Sequence, residues 1–455
     1  MHMEGLKRKE RDSNRIENRP YRILIEANKL FMSGNDGVKR YLTELLESLL
    51  RLEQKEQLQW EIDWYVQGVL PFKLKEGLDQ LEAQKKRMEQ QIEVVKGAPP
   101  FEIRMLQLKE KFRKVLPTPL YRAFKLAYEY LPFRKVIRGY TGLLTQRELK
   151  RLKSTLDRYD LIHIPLPQNF HYLQYAEGRF LVTVHDLSHR HFPAFHTSDN
   201  RARSEKGMQW VCEKQVSILA VSEATKADII KEYSIPPRRI QLVYGSYNPT
   251  HFYPRTNVKE LEAVLKKYNL PNIPYLLTLS TLEPRKNLVN TLKAFNAFRI
   301  EYPQEKVALF VCGKKGWNYD KVFSTEVVSN KHIFFPGFIA EADLPVLYSH
   351  ALALCYVSFY EGFGLPPLEA MACGTTVIYG NNSSMPEVIG EAGLPAEASD
   401  LNSIQEQIAV VVLDPKKRAI LREKAQHRAL GFSRQRLATS TLSLYKKIID
   451  SDYNP

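Results

Sequence analysis

Cysteine is scarce in this sequence: four stand among 455 residues, at positions 212, 312, 355 and 373, and no two lie two to four residues apart. That spacing excludes a disulfide framework and a zinc knuckle, and reads as buried, reduced thiols of a cytoplasmic protein. Long apolar runs are missing as well. The longest, around Ala351–Val357, is under half of the roughly 18–20 residues that cross a bilayer, so a soluble protein is expected. The opening stretch, MHMEGLKRKERDSNRIENRP, is charged throughout and has no apolar core, which reads as a disordered lead over 1–20 and not as a signal peptide. An Asp-x-Asp pair of the metal-binding kind occurs only as Asp450-Ser451-Asp452 near the end of the chain, so no metal is expected. Acidic residues are in deficit, 51 against 66 Lys and Arg, for a net +15. A basic chain meets nucleic acid, an anionic membrane or a phosphorylated ligand, or is merely well solvated, and the location of the charge decides.

What is present has an α/β rhythm, and the length suggests about two or three domains. Tyr21–Ala27 reads as a strand, followed by a polar loop, SGNDG (33–37), and the amphipathic helix RYLTELLESLLRL; Trp60–Gln67 reads as the next strand. From Leu74, the apolar residues Leu78, Leu81, Met88, Ile92 and Val95 recur in steps of four and three, with Lys85 in the one missing position, which predicts about three heptads of helix. Strands follow at Leu161–Ile164, Phe180–Val184 and Ile218–Val221, then a helix Glu223–Tyr233 capped by Ser222. After an irregular passage over 247–255, a second series runs through strands Tyr275–Leu279, Val307–Cys312, His332–Phe335, Ala353–Val357 and Thr376–Tyr379, with helices Leu288–Glu301, Asp343–Ser349 and Pro367–Cys373. The economical organisation is two wound α/β domains, 21–250 and 270–425, with a basic helical insert at about 70–156 and C-terminal helices over 426–455 returning to the first domain.

Ligands of open α/β sheets gather at the carboxyl ends of strands, which singles out four segments. In FYEGFGLPPLEAMACGTTVI (359–378), Glu361 follows a buried strand, Gly362 and Gly364 permit close backbone approach, Pro366 and Pro367 pre-set a helix, and Glu369 falls in its first turn. Backbone N–H groups and a helix N-terminus aimed at one spot favour an anionic ligand such as a diphosphate, and two carboxylates there can grip sugar or ribose hydroxyls. In LSTLEPRKN (279–287), Arg285 and Lys286 sit at a strand-to-helix turn, where two cations neutralise a diphosphate or are simply solvated. In VTVHDLSHRHFPAFH (182–196), the order His-Asp-x-x-His mimics a zinc peptidase motif; however, the β-branched lead places His185 at a strand end and not on a helix, which argues against metal. The fourth, GNDGVKRY (34–41), reads as a βα turn whose Gly37 permits close approach of a ligand.

Together these strings resemble the family-four retaining glycosyltransferases, with the glutamate-x7-glutamate signature at Glu361 and Glu369 and a matching SSMPEVIGEAGL at 383–394. The resemblance covers about residues 21–68 and 159–435 and omits the basic insert. It implies the GT-B fold, two Rossmann-like doubly wound domains facing a cleft. It further implies that Glu361 holds the transferred sugar, that the loop of Gly362, Phe363, Gly364 and Leu365 meets sugar and diphosphate, and that Glu369 binds the nucleotide ribose. Lys286 and Arg285 then face the diphosphate, His185 faces the donor sugar, and Gly37 faces diphosphate or acceptor. The implied reaction is metal-independent transfer from a nucleotide diphosphate sugar, GDP-mannose being the expected donor, to a glycan or lipid-linked acceptor in surface polysaccharide or O-antigen synthesis. A non-catalytic GT-B scaffold, or a nucleotide-sugar hydrolase or epimerase, stays open on the sequence.

The charge lies apart from these motifs. Residues 104–156 hold fourteen Lys and Arg against three Glu, a net +11, interleaved with Tyr121, Phe124, Tyr128 and Leu131 at helical spacing. No nucleic-acid module accompanies them, so no nucleic-acid partner is expected. Cations beside aromatic rings suit an anionic membrane surface, which would make the protein peripheral on the inner face of the cell membrane; a solvated helical elaboration is the plainer alternative.

Overall fold

A computed structural model describes residues 19–31, 37–55, 60–65, 72–73, 75–76, 79, 146–171, 173–314 and 330–450. The charged lead, most of the 33–37 loop, the heptad-like stretch from Leu74 and most of the basic stretch 104–156 lie outside the described residues. The chain divides into two compact units, one of Met1–Gly34, Glu53–Ile164 and His171–Phe180, the other of Asn35–Leu52, Pro165–Phe170 and Leu181–Pro455.

The first unit carries strands β1 (Tyr21–Glu26), β2 (Trp60–Tyr65), β3 (Phe72–Lys73) and β4 (Leu161–Ile164) in the order β3-β2-β1-β4. β1 runs parallel to both β2 and β4, and its Ile23, Leu24 and Ile25 are fully buried, as a continuous apolar run in a parallel sheet should be. β3 is antiparallel and falls where the basic helical insert was expected to begin. Lys73 Nζ reaches Asp63 at 3.3 Å and Glu61 at 3.7 Å on β2, and an exposed lysine blunts the sheet edge.

The second unit holds helix α1 (Gly37–Lys55) and the parallel ladder β5 (Arg179–Val184), β6 (Ser217–Ala220) and β7 (Ile240–Leu242). Helix α2 (Glu223–Tyr233) starts where expected, Ser222 Oγ accepting from Thr225 N at 3.0 Å. A six-stranded parallel sheet follows, in the order β10-β9-β8-β11-β12-β13. Its members are β8 (Tyr275–Leu279), β9 (Ala308–Cys312), β10 (Ile333–Gly337), β11 (Leu354–Tyr356), β12 (Val377–Gly380) and β13 (Leu394–Ala396). Helices α3 (Leu288–Glu301) and α4 (Leu365–Ala372) connect β8 to β9 and β11 to β12. From β8 the chain builds outward through β9 and β10, then returns to lay β11 on the other side of β8. The carboxyl ends of β8 and β11 therefore flank the switch point of the sheet, the place where open α/β sheets generally take their ligands.

Leu292, Phe295, Phe298, Leu309 and Ile378 fill the core of this sheet, each fully buried. Helix α5 (Arg434–Asp450) packs on α1, where the buried Arg434 donates to Glu44 and, at 2.8 Å, to Glu47. The cysteines are free thiols, three buried and Cys212 half-buried. Among the described residues, no helix is long and apolar enough to cross a membrane.

Candidate active site

The turn after β8 is fixed by one residue. Asn287 has φ 55° and opens α3, and its side-chain amide donates to Val357 O at 3.0 Å and Ala398 O at 2.6 Å. Phe359 N donates to Arg285 O at 3.0 Å, which closes the turn onto the exit of β11. Arg285 and Lys286 are thereby set against Glu361. Lys286 Nζ donates to Glu361 Oε1 at 2.6 Å and to Tyr356 OH at 3.2 Å. Arg285 Nη1 donates to Glu361 Oε2 at 3.2 Å and to Tyr360 O at 2.7 Å, while its Nε and Nη2 meet Glu283 Oε1 at 3.2 and 3.0 Å. Every nitrogen of the guanidinium thus has an acceptor.

Burial alone pushes the Glu361 carboxyl up, but Lys286 and Arg285 together outweigh it and hold the group below its usual value, ionised. Two cations share one carboxylate, so the weaker cation yields. Burial and then the adjacent Arg285 pull the Lys286 ammonium down, against the opposing pull of Glu361. A buried cluster of this kind adds little net stability, because desolvating the charges cancels most of their attraction; its arrangement is better suited to receiving a charged ligand.

His185 closes the other side. It follows β5, as its β-branched lead predicted, and Gly362 lies against it: a Cβ added at Gly362 would stand 1.8 Å from His185 O. Thr225 Oγ1 on α2 lies 3.3 Å from His185 O and 3.4 Å from Gly362 O, within donating distance of both. The His185 ring packs edge-on to Tyr41 at 4.9 Å, and its Nε2 lies 3.1 Å from Pro165 O; a carbonyl only accepts, so Nε2 carries the proton in this contact. Next to it, Asp186 is pushed up by burial but held low by Arg285 and by Ser188, which donates to it from both N and Oγ. A Gly362→Ala protein is expected to lose transfer by on the order of 10²-fold, since backbone must move beside both Glu361 and His185, and to melt earlier; initial rates and thermal unfolding check this.

The 383–394 segment proves to be a backbone clamp. Ser383 Oγ accepts from Glu361 N at 2.9 Å and Ser384 Oγ donates to Glu361 O at 2.9 Å. Helix α4 begins at Leu365, earlier than Pro367, because Gly364 takes φ 93° and can cap it. This puts Glu369 in the second turn, not the first. It also changes the anion-binding expectation: Pro366 and Pro367 carry no N–H, so Leu365 is the only residue with a free-standing donor in the first turn, and the loop of Gly362, Phe363 and Gly364 supplies the remaining amides. Phe363 turns away, toward Tyr244 and Phe432, with ring centroids at 6.2 and 5.8 Å.

Glu369 is buried, and Tyr348 OH donates to its Oε2 at 3.3 Å. Its Oε1 pairs with Arg40, one turn into α1 from Gly37, the exposed first residue of that helix. Burial raises the Glu369 carboxyl to about 7 in spite of that partner. Arg40 stood in the GNDGVKRY string without an assigned role. Helical periodicity gave no signal for it, since the buried stripe of α1 runs through Tyr41, Leu42, Leu45, Leu46 and Leu49. Among the described residues, no group of three His, Cys, Asp or Glu side chains is placed to hold a metal ion.

The chain matches the family model described as "Glycosyl transferases group 1" over residues 260–428, and that described as "Glycosyltransferase Family 4" over 111–251. The second match enters the basic stretch, which the sequence resemblance had left out. O-antigen chain mannosyltransferase B of Escherichia coli is 33% identical over 313 residues, covering 68% of this chain and 80% of that protein. The serotype-specific mannosyltransferase WbdA of Escherichia coli is 28% identical over 201 residues, 43% of this chain but 24% of that longer protein. Among solved structures, sucrose-phosphate synthase from Thermosynechococcus elongatus superimposes with a TM-score of 0.62 at 18% identity, covering 94% of this chain and 99% of that one. The chain belongs to the family-four, group 1 glycosyltransferases and has their two-domain GT-B fold.

Proposed function

We propose that this glycosyltransferase moves mannose from a nucleoside-diphosphate mannose, GDP-mannose first among them, to a hydroxyl of a glycan or lipid-linked acceptor, with retention at the anomeric carbon. The buried cluster of Glu361, Lys286 and Arg285 at the sheet's switch point, with His185 beside Gly362, carries the reading. The names of both mannosyltransferases it resembles favour mannose, and that of the first favours an O-antigen or related surface polysaccharide. In this proposal the diphosphate meets Lys286 and the amides of the Gly362–Leu365 loop, the sugar hydroxyls donate to Glu361, and His185 stands near the anomeric carbon. Arg285 holds Glu361 and adds positive charge behind it. As the bond from the anomeric carbon to the diphosphate breaks, the acceptor oxygen bonds to the same face and its proton passes to the departing phosphate oxygen. Charge on the leaving group is neutralised by side chains, so no metal is required.

The test is a donor panel of GDP-mannose, UDP-glucose, UDP-galactose and UDP-N-acetylglucosamine, run with and without glycan and lipid-linked acceptors in EDTA, with products read by mass spectrometry and their anomeric form by NMR. An α-mannosyl product from GDP-mannose is expected. Transfer from another donor alone overturns the mannose assignment, a β-linked product overturns retention, and sugar release that ignores the acceptor marks a hydrolase. The basic residues 104–156 are proposed to hold the protein at an anionic membrane surface, which flotation with phosphatidylglycerol vesicles at low salt checks.

A further inference from the structure

The ion pair between Arg40 and Glu369 joins two segments far apart in the sequence in one enclosed place. The Arg40 side chain is 16% exposed and that of Glu369 3%. The guanidinium carbon lies 5.4 Å from the centre of the Phe252 ring, and Tyr348, which donates to the other carboxylate oxygen, is itself fully buried. Enclosing two charges this way contributes little to stability, so the pair calls for another reason. A carboxylate offers about four acceptor directions. Arg40 takes one on Oε1 and Tyr348 one on Oε2, which leaves a direction on each oxygen. Two adjacent acceptors are what a vicinal diol needs.

We propose that Arg40 is a positioning residue of the nucleotide subsite: it fixes the Glu369 carboxylate so that both oxygens accept from the vicinal ribose hydroxyls, and so makes α1 part of that subsite. The proposal rests on the ribose role proposed for Glu369. Several groups face this carboxyl. They are Arg40 and Glu44 from α1, Tyr348 from the helix Leu344–His350, Glu341 from the turn Glu341–Asp343, and Cys373 at the end of α4. Arg40 is the cation among them. Burial already carries Glu369 up to about 7 with Arg40 in place, so without it the carboxyl stays protonated across the neutral range and accepts poorly.

Titration calorimetry with GDP and UDP, and with their 2′-deoxy forms, tests this in the full-length protein. Arg40→Met is expected to weaken binding of the ribonucleotide on the order of 10-fold at pH 7, the size of a lost hydrogen bond to a charged group, and to shrink the preference for ribose over 2′-deoxyribose. The gap from wild type should narrow as pH rises and Glu369 begins to ionise without its cation, and Arg40→Lys should restore part of it. A purely structural arginine would lower the melting temperature without touching the pH profile or the ribose preference. Glu369→Gln is run alongside. If that variant binds both ribonucleotides as wild type does, the ribose assignment fails and this proposal with it. If it loses affinity and ribose preference while a folded Arg40→Met keeps both, the ribose assignment stands and the role of Arg40 is overturned. Should Arg40→Met not fold, unchanged affinity, pH profile and ribose preference in Arg40→Lys overturn the proposal equally.

Discussion

Replacing Glu361 by glutamine is expected to lower kcat by 10²- to 10³-fold, on the order of what removing a charge placed at the reacting centre does, while nucleoside-diphosphate affinity stays level or rises. The two halves of this result come from one geometry. Glu361 Oε1 lies 2.6 Å from Lys286 Nζ, so the carboxylate competes for the cation that the diphosphate is proposed to use. Glutamine keeps the shape and removes the charge. It frees Lys286 for phosphate but leaves the sugar hydroxyls without an ionised acceptor. Removing one partner of a buried ion pair also destabilises, by about 3–5 kcal/mol, so thermal unfolding of the free variant should fall and saturating GDP should recover part of it. Near-normal kcat in a folded Glu361→Gln protein would remove Glu361 from the mechanism.

The second large effect belongs to Lys286. Lys286→Met is expected to lower kcat/KM by on the order of 10²-fold or more, losing both diphosphate binding and neutralisation of the leaving group. Arg285 should not compensate, because its nitrogens are already committed to Glu283, Tyr360 O and Glu361. A pH profile gives an independent reading. Burial and Arg285 lower the Lys286 ammonium below an ordinary lysine, and the charged form is the useful one. The kcat/KM of wild type, which reports the free enzyme, should therefore decline on the alkaline side before an ordinary lysine titrates. Lys286→Arg, if active, should move that decline to higher pH. An alkaline limb that is the same in Lys286→Arg would assign the titration to another group.

Much of this site was legible before any coordinates, for reasons tied to particular residues. Tyr275–Leu279 is an apolar run broken only by the β-branched Thr278 and bounded by Pro274 and a polar turn, and it is strand β8 over that same span. Glu361, Arg285 and Lys286 were marked by lying just past predicted strands, the position that a wound sheet turns toward its ligand. What escaped was long-range or conformational. The left-handed Gly364 let α4 start two residues before Pro367, which puts Glu369 in the second turn, and proline spacing alone did not reveal it. The commitment of Arg285 to three partners depends on the Asn287 lock, and an asparagine holding two distant carbonyls has no periodic signature. Arg40 sits beside an apolar stripe and looks solvated until Glu369 is brought to it from a distant part of the sequence.

The clasp of Arg434 on Glu44 and Glu47 has a consequence for how the protein is made. Helix α1, carrying Gly37 and Arg40, is synthesised well before its anchor on α5, which lies 390 residues from Glu44. Contacts so distant in sequence form late, so during translation the first helix waits without its anchor, its apolar stripe uncovered on that side. A nascent chain halted before α5 would contain the sequences of β8, α3 and β11 while helix α1 stayed unclasped, and is expected to lean on chaperones more than the finished chain does.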